Sequence, residues 1–184
     1  HSLEVMLAHE NYKYDYSYLY GSKSNQFNPS NDELTGAVVA GSASSYRSDY
    51  NTEGWLGRAQ YNYDDKYFAS ASFRRDASSR FHKDNRWGNF WSLGGAWLIS
   101  KEKFFNVNWI DELKIKASYG SVGNRPSSLY PQYDLYSASS SYNEQAGALI
   151  SVIGNKDLTW EKTFTTGIGV DASFFNNRLH MVFD

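Results

Sequence analysis

Cysteine is absent from this chain of 184 residues, and its absence excludes disulfide bonds and thiolate metal sites. Long apolar runs are also missing, since no stretch approaches the roughly 20 residues that a membrane-spanning helix needs. That observation excludes helical membrane spans but not a β-barrel, whose strands are only half apolar. Basic residues show no excess, because 18 Lys and Arg stand against 20 Asp and Glu. We therefore expect no nucleic-acid partner.

Aromatic residues, by contrast, are abundant. Fifteen Tyr, eleven Phe and six Trp make up 17% of the chain, which is too many for a disordered protein. Such residues favour strands, concentrate at membrane interfaces and also form sugar-binding surfaces. The chain begins at His1, shows no signal peptide and ends within an apparent strand, so we expect it to be a piece of a longer protein.

The clearest sequence signal for a β-hairpin lies near the middle of the chain. In the segment Tyr67–Phe73 (YFASASF), aromatic and alanine residues alternate with serines, and the segment Trp55–Tyr63 alternates in the same way. Only Asp64-Asp65-Lys66 separates the two segments. Alternation with a period of two on both sides of a short polar turn predicts a hairpin.

The same alternation predicts about seven strands in all. The further candidates are Leu3–Tyr14, Gly88–Leu98, Glu112–Gly120, Thr159–Phe174 and Leu179–Phe183. Two long polar stretches, 15–51 and 121–158, read as loops, although GAVVA at 36–40 could pair locally. The longer connections all fall at one end of the sheet, and most strands reach the 9–11 residues that cross a bilayer when tilted. We therefore predict an all-β, antiparallel up-and-down meander that is a segment of a large transmembrane β-barrel with long outer loops.

The aromatic positions support this interpretation. On the apolar face they form one predicted ring at the short-turn end and another at the long-loop end, with smaller residues between them, as expected at two water–lipid boundaries. The first ring comprises Tyr63, Tyr67, Trp97 and Phe174, and the second comprises Trp55, Phe73, Trp91, Tyr119 and Trp160.

Alternation alone does not show which face of the sheet contacts water. A soluble or surface-attached β-sandwich that binds carbohydrate is therefore the alternative interpretation. No catalytic constellation is visible, and we expect no enzyme and no cofactor. The four histidines, His1, His9, His82 and His180, lack metal-ligand spacing, so no metal site is expected either.

Tyrosines crowd the two long polar stretches. One interpretation is a surface on which they stack against sugars or pack on a docked protein, and the other is packing that orders the loops themselves. The candidates for contact with substrate or partner are Tyr46, Tyr50, Tyr130, Tyr133, Tyr136 and Tyr142.

Four stretches carry a resemblance to a known family. They are residues 73–104 (FRRDASSRFHKDNRWGNFWSLGGAWLISKEKF), 113–124 (LKIKASYGSVGN), 154–179 (GNKDLTWEKTFTTGIGVDASFFNNRL) and 1–10 (HSLEVMLAHE). The chain resembles the SusC/RagA family of TonB-dependent outer-membrane transporters of Bacteroidetes. The similarity covers nearly all of the chain outside the two long loops.

The resemblance implies a parent barrel of about 22 strands with a plugged lumen in the outer membrane of a Gram-negative bacterium. It also implies a SusD-like surface lipoprotein as a lid, a TonB complex that supplies energy, and an oligosaccharide or peptide as cargo. Residues 1–184 would be part of the barrel wall, with neither plug domain nor TonB box, so TonB would act through a missing N-terminal part.

In such a barrel the polar rows of the strands would face the lumen and the apolar rows would face the lipid bilayer. The residues expected to face the lumen are Arg58, Gln60, Asn62, Ser70, Ser72, Arg74, Lys114, Lys116, Glu161 and Asp171.

Overall fold

The computed structural model describes residues 1–143 and 145–184, with the side chains of residues 139, 140 and 142 outside that description. The described strands are β1 (Ser2–Gln26), β2 (Ala37–Tyr63), β3 (Tyr67–Ser78), β4 (Trp87–Leu98), β5 (Ile110–Asn124), β6 (Leu135–Tyr142), β7 (Gln145–Val152), β8 (Glu161–Phe174) and β9 (Leu179–Phe183). Two short 3₁₀ turns lie at Leu34–Gly36 and Ile99–Lys101. Within the described part of the chain, no helix is both long and apolar enough to cross a membrane.

Seven strands form one antiparallel sheet in the order β1-β2-β3-β4-β5-β8-β9, while β6 and β7 form a separate hairpin. Each strand of the large sheet thus pairs with its neighbour in the chain, apart from the inserted hairpin, and the sheet curves into a half-barrel. The predicted up-and-down meander is confirmed.

The short turns explain why the register is well defined. Between β2 and β3, Asp64 and Asp65 adopt left-handed backbone angles, with φ of 56° and 50°. Asp tolerates this conformation, and the amide of Lys66 closes the turn on the carbonyl of Tyr63 at 3.1 Å. Tyr63 therefore pairs with Tyr67, as the alternation predicts.

The prediction of a loop over 15–51 is wrong. β1 and β2 continue as a two-stranded ribbon in which Asp15 pairs with Asp49 and Tyr20 with Ser44, and residues 37–40 of the GAVVA segment also belong to β2. The reason is that tyrosines in this ribbon alternate with charged and polar residues and no aliphatic row is present, so its composition resembles that of a loop. The 25 and 27 residues of β1 and β2 exceed by far what a bilayer requires.

The prediction of a single loop over 121–158 is also wrong in part. β5 runs on to Asn124, and the strands β6 and β7 lie inside the segment. The serine-rich sequence of β6 hides its strand character from composition. Pro126 and Pro131 do lie in the irregular connection before β6, as their missing amide hydrogens require.

The two faces of the seven-stranded sheet differ in character. We call the face of Ser72 the polar face and the face of Ala71 the apolar face. On the apolar face, large residues stay open, with Leu7 84% and Ile168 70% exposed. A β-sandwich would bury this row beneath a second sheet. The alternative of a soluble sandwich is therefore wrong.

Aromatic residues on the apolar face gather near both ends of the short strands. At the short-turn end, Tyr67 stacks on Trp97 with 6.2 Å between ring centroids. At the other end, Tyr119 lies 5.4 Å from Trp91 and 6.3 Å from Phe164. Rings bearing a polar tip suit the boundary between lipid and water.

Candidate functional site

The register places all ten residues predicted for the lumen on the polar face. One cross-strand row runs from Arg58 through Ser72 to Ser92, and the next runs from Gln60 through Ser70 to Gly94. The remaining members lie on this face by the same alternation. The predicted set therefore shares one surface, and its role as a lumen lining stays a prediction.

Arg74 of β3 reaches across β2 to β1 on the polar face. Its Nε donates to both carboxylate oxygens of Asp76 at 2.7 and 2.8 Å, and its Nη2 donates to Glu10 Oε2 at 3.1 Å. Gly54 makes this crossing possible, because a Cβ there would lie 2.5 Å from Asp76 Oδ1 and 2.9 Å from Arg74 Nη2. The guanidinium charge is thus matched by carboxylates rather than left open to a ligand.

A second charged cluster lies further down the same face. Lys116 Nζ sits 3.0 Å from Asp171 and 2.7 Å from Asp184, and Gly169 lies directly beneath the lysine side chain. Lys114 takes a different partner, with its ammonium 5.5 Å from the ring centroid of Phe68. Of the predicted set, Lys116 and Asp171 therefore form a direct ion pair.

Three other predicted residues are engaged locally. Ser72 and Ser92 exchange a hydroxyl hydrogen bond at 2.7 Å, and Asn62 bonds Asp65 in the turn after β2. Glu161 accepts a long bond from Asn124. Asn62 therefore helps to order the turn as well as lying on the polar face.

Trp160 does not join the outer aromatic ring to which the sequence assigned it, and that assignment is wrong. Its indole lies on the polar face against Phe90 and Phe81, with ring centroids 5.3 and 5.2 Å away, and its Nε1 donates to the carbonyl of Arg86. The physical reason is that β8 begins only at Glu161, so the alternation does not extend to Trp160.

The outer part of the β1–β2 ribbon carries a continuous row of tyrosines on the polar face, which we call the tyrosine ladder. Its described members are Tyr12, Tyr14, Tyr16, Tyr18 and Tyr20 of β1 and Tyr46 and Tyr50 of β2. Neighbouring centroids lie close, at 5.1 Å between Tyr14 and Tyr50 and 5.0 Å between Tyr18 and Tyr46. The rings nevertheless stay open, since Tyr46 is 56% exposed.

Hydroxyl groups along the ladder interact in pairs. Hydrogen bonding to Tyr16 raises the pKa of Tyr46, and hydrogen bonding to Tyr50 raises the pKa of Tyr12. At the base of the ladder two guanidinium groups lie over the ring of Tyr50, that of Arg80 at 4.6 Å and that of Arg125 at 5.4 Å. The contacts therefore order the exposed rings.

Five of the six tyrosines predicted as contact residues are described, and they fall into three groups. Tyr46 and Tyr50 belong to the ladder, while Tyr133 and the 61%-exposed Tyr136 lie at the start of the β6–β7 segment. Tyr130 is tied to β2, because its hydroxyl accepts from the amide of Asp49 at 2.9 Å. The side chain of Tyr142 lies outside the described residues.

The six contact candidates do not include the five tyrosines of β1, although Tyr16, Tyr18 and Tyr20 belong to the tyrosine-rich stretch 15–51. Their spacing of two residues between Tyr12 and Tyr20 was the available signal, since it places every ring on one face of a strand. Among the described residues, no group of three or more His, Cys, Asp or Glu could hold a metal ion.

Comparisons with known proteins decide the family. The family described as "TonB dependent receptor-like, beta-barrel" matches residues 3–184. The chain belongs to the TonB-dependent receptor β-barrel family. Proteins of this family are outer-membrane receptors rather than enzymes, so the chain forms part of a receptor barrel in the outer membrane.

Curated relatives agree with the family assignment. TonB-dependent receptor P39 of Formosa agariphila is 39% identical over 128 residues, which cover 69% of this chain and 12% of that receptor. TonB-dependent receptor SusC of Bacteroides thetaiotaomicron is 34% identical over 142 residues, covering 68% of this chain and 13% of SusC. The chain thus spans only a small part of the relatives that it matches.

Solved structures show the same architecture. A chain in the structure of the RagAB peptide importer in its closed-closed state superposes with a TM-score of 0.88 and 29% identity. The match covers 97% of this chain and 20% of that chain. The fold of this chain is therefore the same as that of one fifth of a chain in that importer.

Proposed function

We propose that residues 1–184 form part of the wall of a TonB-dependent active importer that carries oligosaccharides or peptides across the outer membrane. The main support for this proposal is the difference in character between the two faces of the sheet. One face offers exposed Leu, Ile and aromatic residues to lipid, and the other offers paired charges and hydroxyl groups to a hydrated interior. The name of the RagAB peptide importer supports transport of peptides, and the resemblance to the SusC/RagA family implies oligosaccharides or peptides as cargo.

We further propose a SusD-like surface lipoprotein as the partner at the outer side. The β1–β2 ribbon and the β6–β7 hairpin extend at the end of the sheet that carries the long connections, where a lid would sit. Exposed Tyr133 and Tyr136 are available for contact with lid or cargo. Coupling to TonB would take place outside residues 1–184, because these residues match the barrel throughout.

The test uses the complete receptor in its native cell. Deletion of the gene should abolish uptake of one class of labelled cargo, either oligosaccharide or peptide, and the receptor should co-purify with a surface lipoprotein. The double variant Tyr133→Ala/Tyr136→Ala should lower uptake or lipoprotein retention, whereas Phe104→Ala at the opposite end should not. Unchanged uptake of both cargo classes after deletion would refute the proposal.

A further inference from the structure

We propose that the tyrosine ladder is a binding platform for an uncharged, unbranched oligosaccharide, on which the sugar rings stack before entry into the barrel. The inference rests on the proposed import function and narrows its cargo. It concerns a surface outside the membrane-spanning part of the sheet, formed by the extensions of β1 and β2.

The dimensions of the ladder suit a long, linear ligand. Residues on one face of a strand repeat every two positions, at about 3.3 Å per residue. The five rings from Tyr12 to Tyr20 therefore span about 26 Å along β1. Tyr46 and Tyr50 widen the row on β2, because they pair with Tyr18 and Tyr14. A row of this length offers several consecutive stacking positions rather than a single pocket.

The outer part of the ladder, beyond the Tyr50 ring that contacts the guanidinium groups of Arg80 and Arg125, carries no formal charge of its own. The other polar-face positions of β2 in this stretch are the hydroxyl residues Ser44, Ser48 and Thr52. The charged residues in this stretch of the two strands, such as Lys13 and Arg47, lie on the opposite face of the ribbon. Along this outer part a charged ligand would lose hydration without gaining a counter-ion, which disfavours uronate-bearing, sulfated or strongly charged chains.

The chemistry of the face favours sugars over peptides. A sheet usually captures an extended peptide through the backbone groups of an edge strand. The face of the ribbon presents side chains only, and those side chains are flat rings with a hydroxyl at the tip. A sugar ring matches them because it has an apolar C–H face and hydroxyl groups around its edge.

The rings are also ordered before any ligand arrives. The rings of Tyr16 and Tyr46 pack together with 5.7 Å between centroids, and those of Tyr12 and Tyr50 with 5.8 Å. The guanidinium of Arg80 lies over Tyr50 and donates to the carbonyl of Pro126 at 2.6 Å. Rings that are already fixed lose less conformational entropy on binding, which increases the affinity that each contact yields.

The inner end of the ladder adjoins the polar face of the seven-stranded sheet. Tyr12 follows Glu10 by two residues on the same face, and Glu10 bonds Arg74 at the top of the predicted lumen wall. A ligand lying along the ladder is therefore directed onto the polar face. A docked lipoprotein would not need this continuity, so the sugar is the occupant that we favour.

The test measures binding to the complete receptor, purified in detergent, by titration calorimetry. The probes are linear neutral glucans, mannans and xylans, matched oligosaccharides bearing uronate or sulfate, and a peptide mixture. Tyr16→Ala/Tyr18→Ala/Tyr46→Ala should weaken binding of the neutral sugar that binds the native receptor by about tenfold or more. The corresponding Phe variant keeps the rings and should lose less affinity.

The matched control lies on the other face of the same rows. Ser17 pairs with Arg47, between the rows of Tyr16 and Tyr18, and the double variant Ser17→Ala/Arg47→Ala should bind like the native receptor. Heat resistance of the barrel and retention of the lipoprotein are measured for every variant. They should stay unchanged, which separates loss of the platform from loss of folding.

Four outcomes would overturn the inference. In the first two, the native receptor binds none of the neutral sugars, or it binds anionic sugars or peptides through the ladder instead. In the other two, the Ala variant binds the neutral sugar as tightly as the native receptor does, or it loses the lipoprotein while its affinity for sugar is unchanged. Failure of the proposed import function has a different signature, because uptake in cells would then be unaffected by gene deletion even if the ladder binds sugar.

Discussion

Replacement of Phe81 tests how the outer loops are held on the barrel wall. Phe81 is fully buried, with 0% exposure, although it lies in the connection between β3 and β4. It packs on Trp160, which in turn contacts Phe90 and donates to the carbonyl of Arg86. This small aromatic cluster joins the connection after β3 to the segment before β8.

Truncation of a buried Phe to Ala costs about 3–5 kcal/mol, because contacts are lost and a cavity remains. Each 1.4 kcal/mol changes an equilibrium tenfold, so Phe81→Ala should raise the open population of segments 79–86 and 155–160 about a hundredfold or more. Amide hydrogen exchange of the complete receptor measures this opening segment by segment.

Phe27→Ala is the matched control, because the same atoms are removed from a side chain that is 97% exposed. Its exchange should match that of the native receptor in both segments. Equal exchange of the Phe81→Ala variant and the native receptor in segments 79–86 and 155–160 would refute the role of the cluster.

Two further predictions concern polar contacts. Hydrogen bonds from Tyr67 and then Trp97 lower the pKa of Glu102 below its usual value near 4.5, so its stabilising effect is present above that pH and is lost as the pH falls through the lower folded value. Thermal unfolding across a pH series should therefore show a smaller acid-induced loss of stability for Glu102→Gln than for the native receptor, and an identical loss would contradict this. Gly54→Val should break the Arg74–Glu10 contact and lower the heat resistance of the receptor. Gly57→Val is the control and should lower heat resistance less, because its added Cβ meets Leu7 at an ordinary 3.5 Å. Equal melting temperatures of the two variants would exclude a specific need for Gly54.

The membrane-crossing part of the fold could be predicted well from the sequence. One face of each strand there is apolar and the other is polar, so Trp55–Tyr63 and Tyr67–Phe73 alternate visibly and their register follows from the short turn at Asp64. The same alternation placed Arg58, Ser72 and the other polar residues on a single face. Period-two patterning is informative wherever only one face of a strand is apolar.

The outer ribbon of β1 and β2 is not among the predicted strands, although the two-residue spacing from Tyr12 to Tyr20 is a strand signal. Its tyrosines alternate with charged and polar residues and it has no aliphatic row, so the segment resembles a loop by composition. The partners of individual side chains were also hidden. The contact of Lys116 with Asp184 depends on the pairing of β8 with β9, and the packing of Trp160 on Phe90 depends on the path of a connection.

The most direct test of the account asks which face of β3 touches hydrocarbon. Spin labels are attached to single cysteines at Ala71→Cys and Ser72→Cys in a cysteine-free version of the complete receptor, reconstituted in lipid, and their collision rates with oxygen and with a water-soluble nickel complex are compared. We predict high oxygen access and low nickel access at position 71, and low oxygen access at position 72. The reverse pattern, with position 72 in lipid and position 71 shielded from it, would contradict the account.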